Sequence, residues 1–365
     1  MARSAGVSAM TVARVFNGSG PVAPETRKII LGESRRLNYF PNALVKGVKG
    51  QRTKTVGIVF NAASPGTTAG DIHHVVEELQ RHDYLAYIRT FIPREADLNR
   101  ILRAYLSQRV DGVIIWSDYP AFPFSKEIAT LLEHFTASVF VTSNRLKYMA
   151  DQVVLSPFGA IADAADHFVK TGRRRPSIFA SLPVNKSKVD AFLGRLEFHG
   201  LKTGETSQID PLLDRMANQS YFDREFSSAL ARRFGRTFPF DSLLVSSDEG
   251  AAATMEYLKT CGLKIPEDVA VCGYNNYGLS KYLSPPLASI DLNFKEAAIA
   301  SAEMLFMRLK DKTLPQQIKE LPLRFVWRES AGTISDLTPM RFDRDAGNRV
   351  RPCARTGETP ALLLS

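Results

Sequence analysis

The chain has 365 residues, 44% of them hydrophobic and 23% charged, which is typical of a soluble globular protein with two or three domains. No stretch approaches the roughly 18 consecutive apolar residues of a membrane-spanning helix, and the three cysteines have neither C-x-x-C spacing nor a nearby histidine cluster. This composition argues against a membrane protein and against a zinc site, while the net charge of +9 points to an anionic partner.

The positive charge is concentrated at the N-terminus. Residues 1–55 contain ten lysine or arginine side chains and two acidic ones, whereas the rest of the chain is close to neutral. A short basic segment ahead of a neutral body is typical of a nucleic-acid-binding domain, and a solvated basic surface is the alternative. The segment lacks the unbroken apolar run of a secretory signal, so we expect the protein in the cytoplasm.

Two short helices are predicted in this basic segment. Ser8 can cap a helix that extends to about Phe16, with Val12, Val15 and Phe16 at helical spacing on one side. Pro24 suits the first turn of a second helix after a glycine-containing turn. The inward-facing residues of that helix are predicted to be Thr26, Ile29, Ile30, Glu33 and Leu37. Short helices around a glycine turn within about 40 residues are typical of a helix-turn-helix module.

After residue 54 the pattern changes to apolar strands that alternate with amphipathic helices. The first series has strands at 55–60, 84–90, 112–116 and 138–142 and helices at 71–82, 96–108 and 124–135. The second has helices at 158–170, 186–199, 223–234 and 249–262 and strands at 176–182, 242–248 and 269–274. Two such series predict an α/β core of parallel sheets in two lobes with a cleft between them.

Several motifs resemble those of the LacI/GalR family of transcriptional regulators. In the head they are Ala5-Gly6-Val7-Ser8-x-x-Thr11-Val12-x-Arg14-Val15-x-Asn17, Val22-x-Pro24-Glu25-Thr26-Arg27 and Leu37-Asn38-Tyr39-x-Pro41-Asn42. Later ones are Arg109-Val110-Asp111-Gly112-Val113-Ile114, Ser247-Asp248-Glu249, Ile265-Pro266-Glu267-Asp268-Val269-Ala270-Val271 and Leu283-Ser284-Pro285-Pro286-Leu287. The resemblance covers residues 1 to about 335 and implies a homodimer that binds operator DNA and a sugar-like effector, with no cofactor, no metal and no membrane partner.

The resemblance also implies the domain boundaries. A helix-turn-helix head at 1–42, with a truncated first helix, precedes a hinge helix and linker at 43–54 and a core at 55–335 of the type I periplasmic-binding-protein kind. Lobe one is expected at about 55–155 and 285–312, and lobe two at about 156–284 and 313–335. The tail at 336–365 has little apolar periodicity and is predicted to be disordered.

By the same resemblance, the helix at 8–16 enters the major groove of DNA. Ala9, Met10 and Arg14 are expected to contact bases, with core packing as the alternative for Met10. Ser8 and Tyr39 are expected at the phosphate backbone, with roles as a helix cap and a core aromatic as their alternatives. The remaining expected DNA contacts are Thr11, Asn17, Arg27, Asn42 and Val48, the last as an apolar wedge in the minor groove.

The effector positions that match the family are Asn61, Asn144, Arg145, Lys188, Tyr221, Asp248, Asn275 and Asp291. Asp248 is the strongest expectation among them. Polar groups at strand ends beside a cleft suit a ligand with many hydroxyl groups, although solvated loop residues or hydrogen bonds between the lobes are the alternative. Lys188 replaces an arginine that the family places there, so the expected effector is an unusual sugar, a sugar acid or phosphate favoured by Lys188, or a ligand of another class entirely.

Two other classes of protein compete with a regulator at this stage. The core alone would suit a sugar-binding protein without gene control. An enzyme would need a catalytic signature, and the sequence has no G-x-G-x-x-G after a strand, no P-loop, no G-x-S-x-G and no histidines at metal spacing. His73 and His74 are adjacent and point in different directions on a helix. The sequence therefore predicts a protein that is not an enzyme.

Overall fold

The structure is a computed structural model that describes residues 1–17, 20–37, 52–61, 65–91, 94–116, 125–147, 150–180, 185–201, 224–235 and 237–333. It divides into two compact units, Met1–Thr53 and Lys54–Ser365. Most of the predicted hinge segment at 43–54 and the whole predicted tail lie outside the described residues. None of the helices in the described ranges has the length and hydropathy that a bilayer crossing requires.

The first unit contains helices α1 (Ala9–Asn17) and α2 (Pro24–Arg36). Ser8 caps α1, because its Oγ accepts a hydrogen bond from the backbone N–H of Thr11 at 3.0 Å. Val12, Val15 and Ile30 are buried together between the helices. The predicted inward side of α1 is therefore confirmed.

The predicted inward side of α2 is only partly correct. Ile30 is fully buried, but Ile29 and Leu37 are exposed. Neighbouring helical residues differ by about 100° in direction, so Ile29 and Ile30 cannot both face the same core. Leu37 lies beyond the last helical residue, where the helical spacing no longer applies.

The second unit begins with a six-stranded parallel sheet in the order β10-β5-β4-β3-β1-β2. Its strands are β1 (Thr55–Asn61), β2 (Leu85–Phe91), β3 (Gly112–Trp116), β4 (Ala137–Thr142), β5 (Asp151–Ser156) and β10 (Ile318–Pro322). The helices between the first four strands are α3 (Pro65–Arg81), α4 (Glu95–Ser107) and α5 (Lys126–Glu133). The central strands are apolar because both faces of the sheet are covered, as predicted.

The second sheet has five strands in the order β11-β9-β8-β7-β6, parallel except for β11. The strands are β6 (Pro176–Phe179), β7 (Ser242–Val245), β8 (Ala270–Asn275), β9 (Ala288–Asp291) and β11 (Arg324–Val326). The helices after β5 are α6 (Phe158–Lys170), α7 (Lys186–Phe198), α8 (Arg224–Phe234), α9 (Asp248–Thr260) and α10 (Phe294–Lys310), with short 3-10 turns at Ser280–Tyr282 and Glu329–Ala331. A two-lobed α/β core with parallel sheets is thus present.

Strand pairing corrects the predicted lobe boundaries. The sequence assigned 285–312 to lobe one and 313–335 to lobe two, but β9 pairs with β8 in the second sheet and β10 pairs with β5 in the first. Helix α10 packs on β3, β4 and β5 of the first sheet. The strands β5, β9, β10 and β11 and helix α10 were not predicted as elements. The lobe boundaries were misplaced because neither spacing nor composition reveals which sheet a strand joins.

Three short connections join the two sheets. The chain passes from β5 to α6 through Pro157, from β9 to α10 through Leu292 and Asn293, and from β10 to β11 through Leu323. All three leave the carboxyl end of a strand, and the backbone N–H of Leu323 donates to the carbonyl of Ser156 at 3.0 Å. The carboxyl edges of both sheets therefore face these connections, which is where ligands bind in open α/β folds.

Candidate functional sites

The exposed side of α1 carries the residues expected to contact bases. Met10 is 62% exposed, which excludes core packing for its side chain. Ala9 and Arg14 are exposed as well. The hydroxyl groups of Ser8 and Thr11 form a hydrogen bond, with their oxygens 2.9 Å apart, and Ser8 also caps the helix. Helix α1 therefore presents a methyl group, a thioether and a guanidinium at one surface, and their contact with DNA stays a prediction.

The other expected DNA contacts are only partly within the described chain. Arg27 is exposed on α2, and Asn17 is the last residue of α1. Tyr39, Asn42 and Val48 lie outside the described residues. The structure therefore places Arg27 on the surface of the head and leaves these three expectations as predictions.

A charge cluster that the sequence did not reveal lies at the end of α2. The guanidinium of Arg36 donates to both carboxylate oxygens of Glu33, at 3.0 and 2.8 Å, and to Ser4 Oγ at 2.9 Å. The hydrogen bonds from Arg36, together with one from Ser4, lower the pKa of Glu33 to about 2. Arg36 is therefore paired with Glu33 within the head, although 63% of its side chain is exposed.

The expected effector residues gather at the carboxyl edges of the sheets. Asn61 ends β1, and Asn275 and Asp291 end β8 and β9 at paired register positions. Asn144 and Arg145 follow β4 within three residues. The fold therefore brings residues that are more than 200 positions apart to strand ends that flank the connections between the lobes.

Lys188 lies at the same edge of the second sheet, in the first turn of α7. Its ammonium nitrogen is 4.1 Å from the centre of the Tyr274 ring, which is a cation–π contact. Tyr274 is buried at the end of β8, next to Asn275. A cation is therefore positioned beside the expected effector residues. Tyr221 lies outside the described residues.

The remaining expected residues make local contacts. Asn275 has a positive φ of 111°, and its amide nitrogen donates to the hydroxyl of Tyr277 at 2.7 Å. The carboxylate of Asp291 accepts from the N–H of Asn293 at 2.9 Å, just before α10. The backbone N–H and carbonyl of Asn144 bond to the hydroxyl of Thr142. The contacts of Asp291 and Asn144 hold the backbone that leaves a strand, whereas the contact of Asn275 joins two side chains.

Asp248 differs from the other expected residues because it is buried, with 4% of its surface exposed. Its Oδ1 accepts from the hydroxyl of Ser289 at 2.6 Å. Its Oδ2 accepts from the hydroxyl of Ser280 at 2.6 Å and from the N–H of Tyr277 at 2.7 Å. Burial raises the pKa of Asp248, and these hydrogen bonds oppose that shift. Both carboxylate oxygens of Asp248, the strongest expectation for an effector ligand, therefore accept hydrogen bonds from protein donors.

Sequence reasoning missed two residues near this carboxylate. The guanidinium of Arg328 donates to the side-chain oxygen of Asn276 at 2.6 Å and to the carbonyl of Leu287. Gly273 leaves room for Asp248, because a β-carbon at 273 would lie 2.2 Å from its Oδ1. A glycine inside the apolar strand 269–274 was the only sequence signal for this close approach.

The chemistry at this edge is that of hydrogen bonding. It offers amides, a carboxylate and an ammonium group, which match the hydroxyl groups of a sugar. Within the described ranges, no three histidine, cysteine, aspartate or glutamate side chains come together as a metal site. The arrangement is therefore suited to holding a polar ligand.

Comparisons with known proteins agree with both units. Residues 1–42 match the family described as bacterial regulatory proteins, lacI family, and residues 165–331 match the periplasmic binding protein-like domain. The chain is 25% identical over 344 residues to the HTH-type transcriptional repressor PurR of Pasteurella multocida, which covers 90% of this chain and 97% of that protein. It is 27% identical over 335 residues to the ribose operon repressor of Haemophilus influenzae, with the same two coverages.

Solved structures show the same fold. The lac repressor dimer bound to operator and the anti-inducer ONPF superposes with a TM-score of 0.74, at 18% sequence identity, over 90% of this chain and 97% of that one. The likeness includes the α/β core with its parallel sheets.

Proposed function

We propose that the chain is a lacI-family repressor controlled by a sugar-like effector, since its head matches the family of bacterial regulatory proteins and its relatives are transcription regulators. The match of residues 1–42 to the family, on a head whose α1 exposes Ala9, Met10 and Arg14, carries this proposal. The two reader heads of a dimer would each place α1 in the major groove of a pseudo-palindromic operator in the cytoplasm.

A homodimer is supported by the outer edge of the first sheet. Strand β2 is the last strand of that sheet, and its Leu85, Tyr87 and Ile88 side chains are exposed. Soluble proteins normally cover an apolar sheet edge, because its unpaired backbone groups invite another strand. A second copy of the chain would cover this edge and set the spacing of the two heads.

A sugar or sugar derivative is supported by the residues at the facing strand ends. Amide and carboxylate groups of Asn275 and Asp291 suit hydroxyl groups, and the ammonium of Lys188 suits a carboxylate or phosphate substituent. Binding between the lobes would favour one arrangement of the three connections over another. Coupling of this kind amounts to about 1–3 kcal/mol and acts equally in both directions.

The test is binding of the full-length protein to its own promoter fragment, measured by fluorescence anisotropy over a salt series. The panel of probes comprises D-ribose, D-galactose, D-glucose, D-gluconate and ribose 5-phosphate. We expect a specific complex whose affinity falls steeply with salt and shifts with one probe. Absence of a specific complex under every condition would refute the regulator and leave the alternative, a sugar-binding protein without gene control.

Two lysines of α7 provide a matched pair for the effector site. Lys188→Met removes the ammonium beside Tyr274 and should weaken the effective probe, because a charge at the strand edge is lost. Lys186→Met removes an exposed ammonium that pairs with Asp190 and should leave probe affinity unchanged. Equal affinity in both variants would exclude Lys188 from the site.

A further inference from the structure

We propose that Asp248 is a positioning residue: its buried carboxylate holds the loop at 276–282 in place, and that loop sets the direction in which Asn275 meets the effector. The loop connects the end of β8 to the 3-10 turn Ser280–Tyr282 and includes that turn. The link to an effector rests on the proposed function, whereas the hold on the loop follows from the geometry of this chain.

The carboxylate joins three parts of the second lobe. Asp248 is the first residue of α9, and Ser247 caps that helix by accepting from the N–H of Gly250. From there, Oδ2 reaches the loop at Tyr277 and Ser280, and Oδ1 reaches β9 at Ser289. Hydrogen bonds to a charged acceptor are stronger than those between neutral groups. One side chain therefore ties helix, loop and strand together.

Burial of this charge argues for a fixed geometry. An ionised carboxylate without partners would be costly at this depth, so it stays charged only while its donors stay in place. Ser280 and Ser289 are themselves buried, and neither hydroxyl can reach solvent to find another partner. Movement of the loop would leave the Ser280 hydroxyl, the Tyr277 N–H and Oδ2 of Asp248 without these partners.

The loop passes this constraint to Asn275. The N–H of Tyr277 bonds to Asp248, while the hydroxyl of Tyr277 accepts from the amide of Asn275. Asn275 and Asn276 have positive φ values of 111° and 56°, which few residues other than glycine adopt. Such backbone persists when several contacts determine it, and Asn276 is held by Ser289 and Arg328.

The far end of the loop lies at the surface. Leu279 and Tyr282 are 68% and 74% exposed, although Ser280 between them is buried against Asp248. A shift of Asn275 caused by a ligand would therefore reach this exposed pair through three hydrogen bonds and the backbone of the loop. Asp248 stands at the centre of that route without being free to contact the ligand.

The first arm of the test measures how firmly the loop is held in the absence of any ligand. Hydrogen exchange of the Tyr277 amide in the full-length protein should become at least about tenfold faster in Asp248→Ala, because a bond to a charged acceptor is lost. Gly273→Ala should have a similar effect by displacing the carboxylate, since its new methyl group would overlap Oδ1. Gly278→Ala adds a methyl group to open space in the same loop and should leave exchange unchanged.

The second arm separates positioning from direct contact, using the sugar panel described above. The Ser280 side chain is buried and does not reach a ligand, yet Ser280→Ala should weaken probe binding severalfold while the melting curve still shows a folded protein. Combined with Asp248→Ala, it should add no further loss. If Ser280→Ala and Gly273→Ala bind the probe normally while Asp248→Ala does not, Asp248 is a direct ligand and the proposal is wrong.

The two arms keep the proposals apart. If no probe binds the unmodified protein, the sugar effector is refuted while the exchange arm still decides whether Asp248 holds the loop. If Tyr277 exchanges at the same rate in all variants, the positioning role is refuted whatever the probes do. Should Asp248→Ala fail to fold, Gly273→Ala and Ser280→Ala remain readable because each keeps the carboxylate.

Discussion

The ring of Tyr105 occupies the space in which a β-carbon of residue 57 would lie. A β-carbon built on Gly57 would be 2.4 Å from Cδ2 of that ring. The hydroxyl of Tyr105, which lies on α4, donates to the carbonyls of Ile58 at 3.0 Å and Tyr87 at 2.7 Å, and burial raises the pKa of this hydroxyl. Tyr105 thus joins α4 to both strands at the edge of the first sheet.

We expect Gly57→Ala to lower the free energy of unfolding by about 1–3 kcal/mol, because the methyl group forces either the ring or the strand to move. Urea denaturation followed by circular dichroism measures this change. Gly194→Ala is the control, since Gly194 lies inside α7 with open space around it and should stabilise by about 0.5–1 kcal/mol. Equal effects of both substitutions would contradict the steric argument.

The ion pair between Asp151 and Arg308 should be the most sensitive charge pair described in the core. The Asp151 side chain is 1% exposed and that of Arg308 13%, with two hydrogen bonds of 3.0 and 2.8 Å between them. Asp151→Ala leaves a buried guanidinium without its counter-ion and should cost about 3–5 kcal/mol. Chemical denaturation of the variant tests this expectation.

The matched control for that pair is exposed. Lys186 and Asp190 form an ion pair on α7 with side chains that are 68% and 59% exposed. Asp190→Ala should cost less than about 1 kcal/mol, because water already solvates both charges. If Asp190→Ala and Asp151→Ala destabilise equally, burial does not govern the strength of these pairs.

Stability should depend on pH through Asp166. Hydrogen bonds from Arg195, at 2.6 and 2.7 Å, and from His199 lower the pKa of Asp166 from 3.8 to about 2. Because the folded pKa lies below the unfolded one, the carboxylate stabilises the fold above about pH 4, and this contribution is lost as the pH falls towards 2. Melting temperatures of the unmodified protein and Asp166→Asn should therefore converge between pH 4 and pH 2. If the difference between the two melting temperatures stays constant from pH 4 to pH 2, ionisation of Asp166 does not cause it.

Two arginines of the head should differ in DNA binding. Arg14→Ala removes an exposed guanidinium from α1 and should weaken binding to the promoter fragment by about 5- to 150-fold, the range expected for a base contact of about 1–3 kcal/mol. Arg36→Ala changes the net charge equally but removes a guanidinium that is held by Glu33. The loss of affinity for the promoter fragment, measured by fluorescence anisotropy, should be smaller for Arg36→Ala than for Arg14→Ala. A larger loss for Arg36→Ala would contradict a base contact by Arg14.

Local structure followed closely from the sequence. The strand at 112–116 and the helix at 158–170 were predicted at their observed bounds, because apolar runs and helical spacing depend on neighbours within a few residues. The cap at Ser8 and the buried side of α1 were predicted from the same kind of signal. Strand β9 was missed because four residues are too few to show a pattern, and helix α10 was missed because its buried residues are not confined to one stripe.

Contacts across the chain were beyond such reasoning. Asp248 was singled out as an effector ligand, but its partners Ser280 and Ser289 lie 32 and 41 positions away and no spacing rule connects them. From the sequence, Asp248 was therefore expected to contact the effector directly. The pairing of Asp151 with Arg308, across 157 positions, was equally invisible.

The sequence by itself determined the class of the protein, the basic helix-turn-helix head and the alternation of strands and helices in the core, because charge placement and hydrophobic periodicity are local properties. Only the tertiary structure decided which sheet receives β9 and β10, where the three connections run, and that Asp248 is enclosed by protein donors. The physical reason is that strand order and burial depend on which distant segments exclude water from each other, and that competition is settled over the whole chain at once.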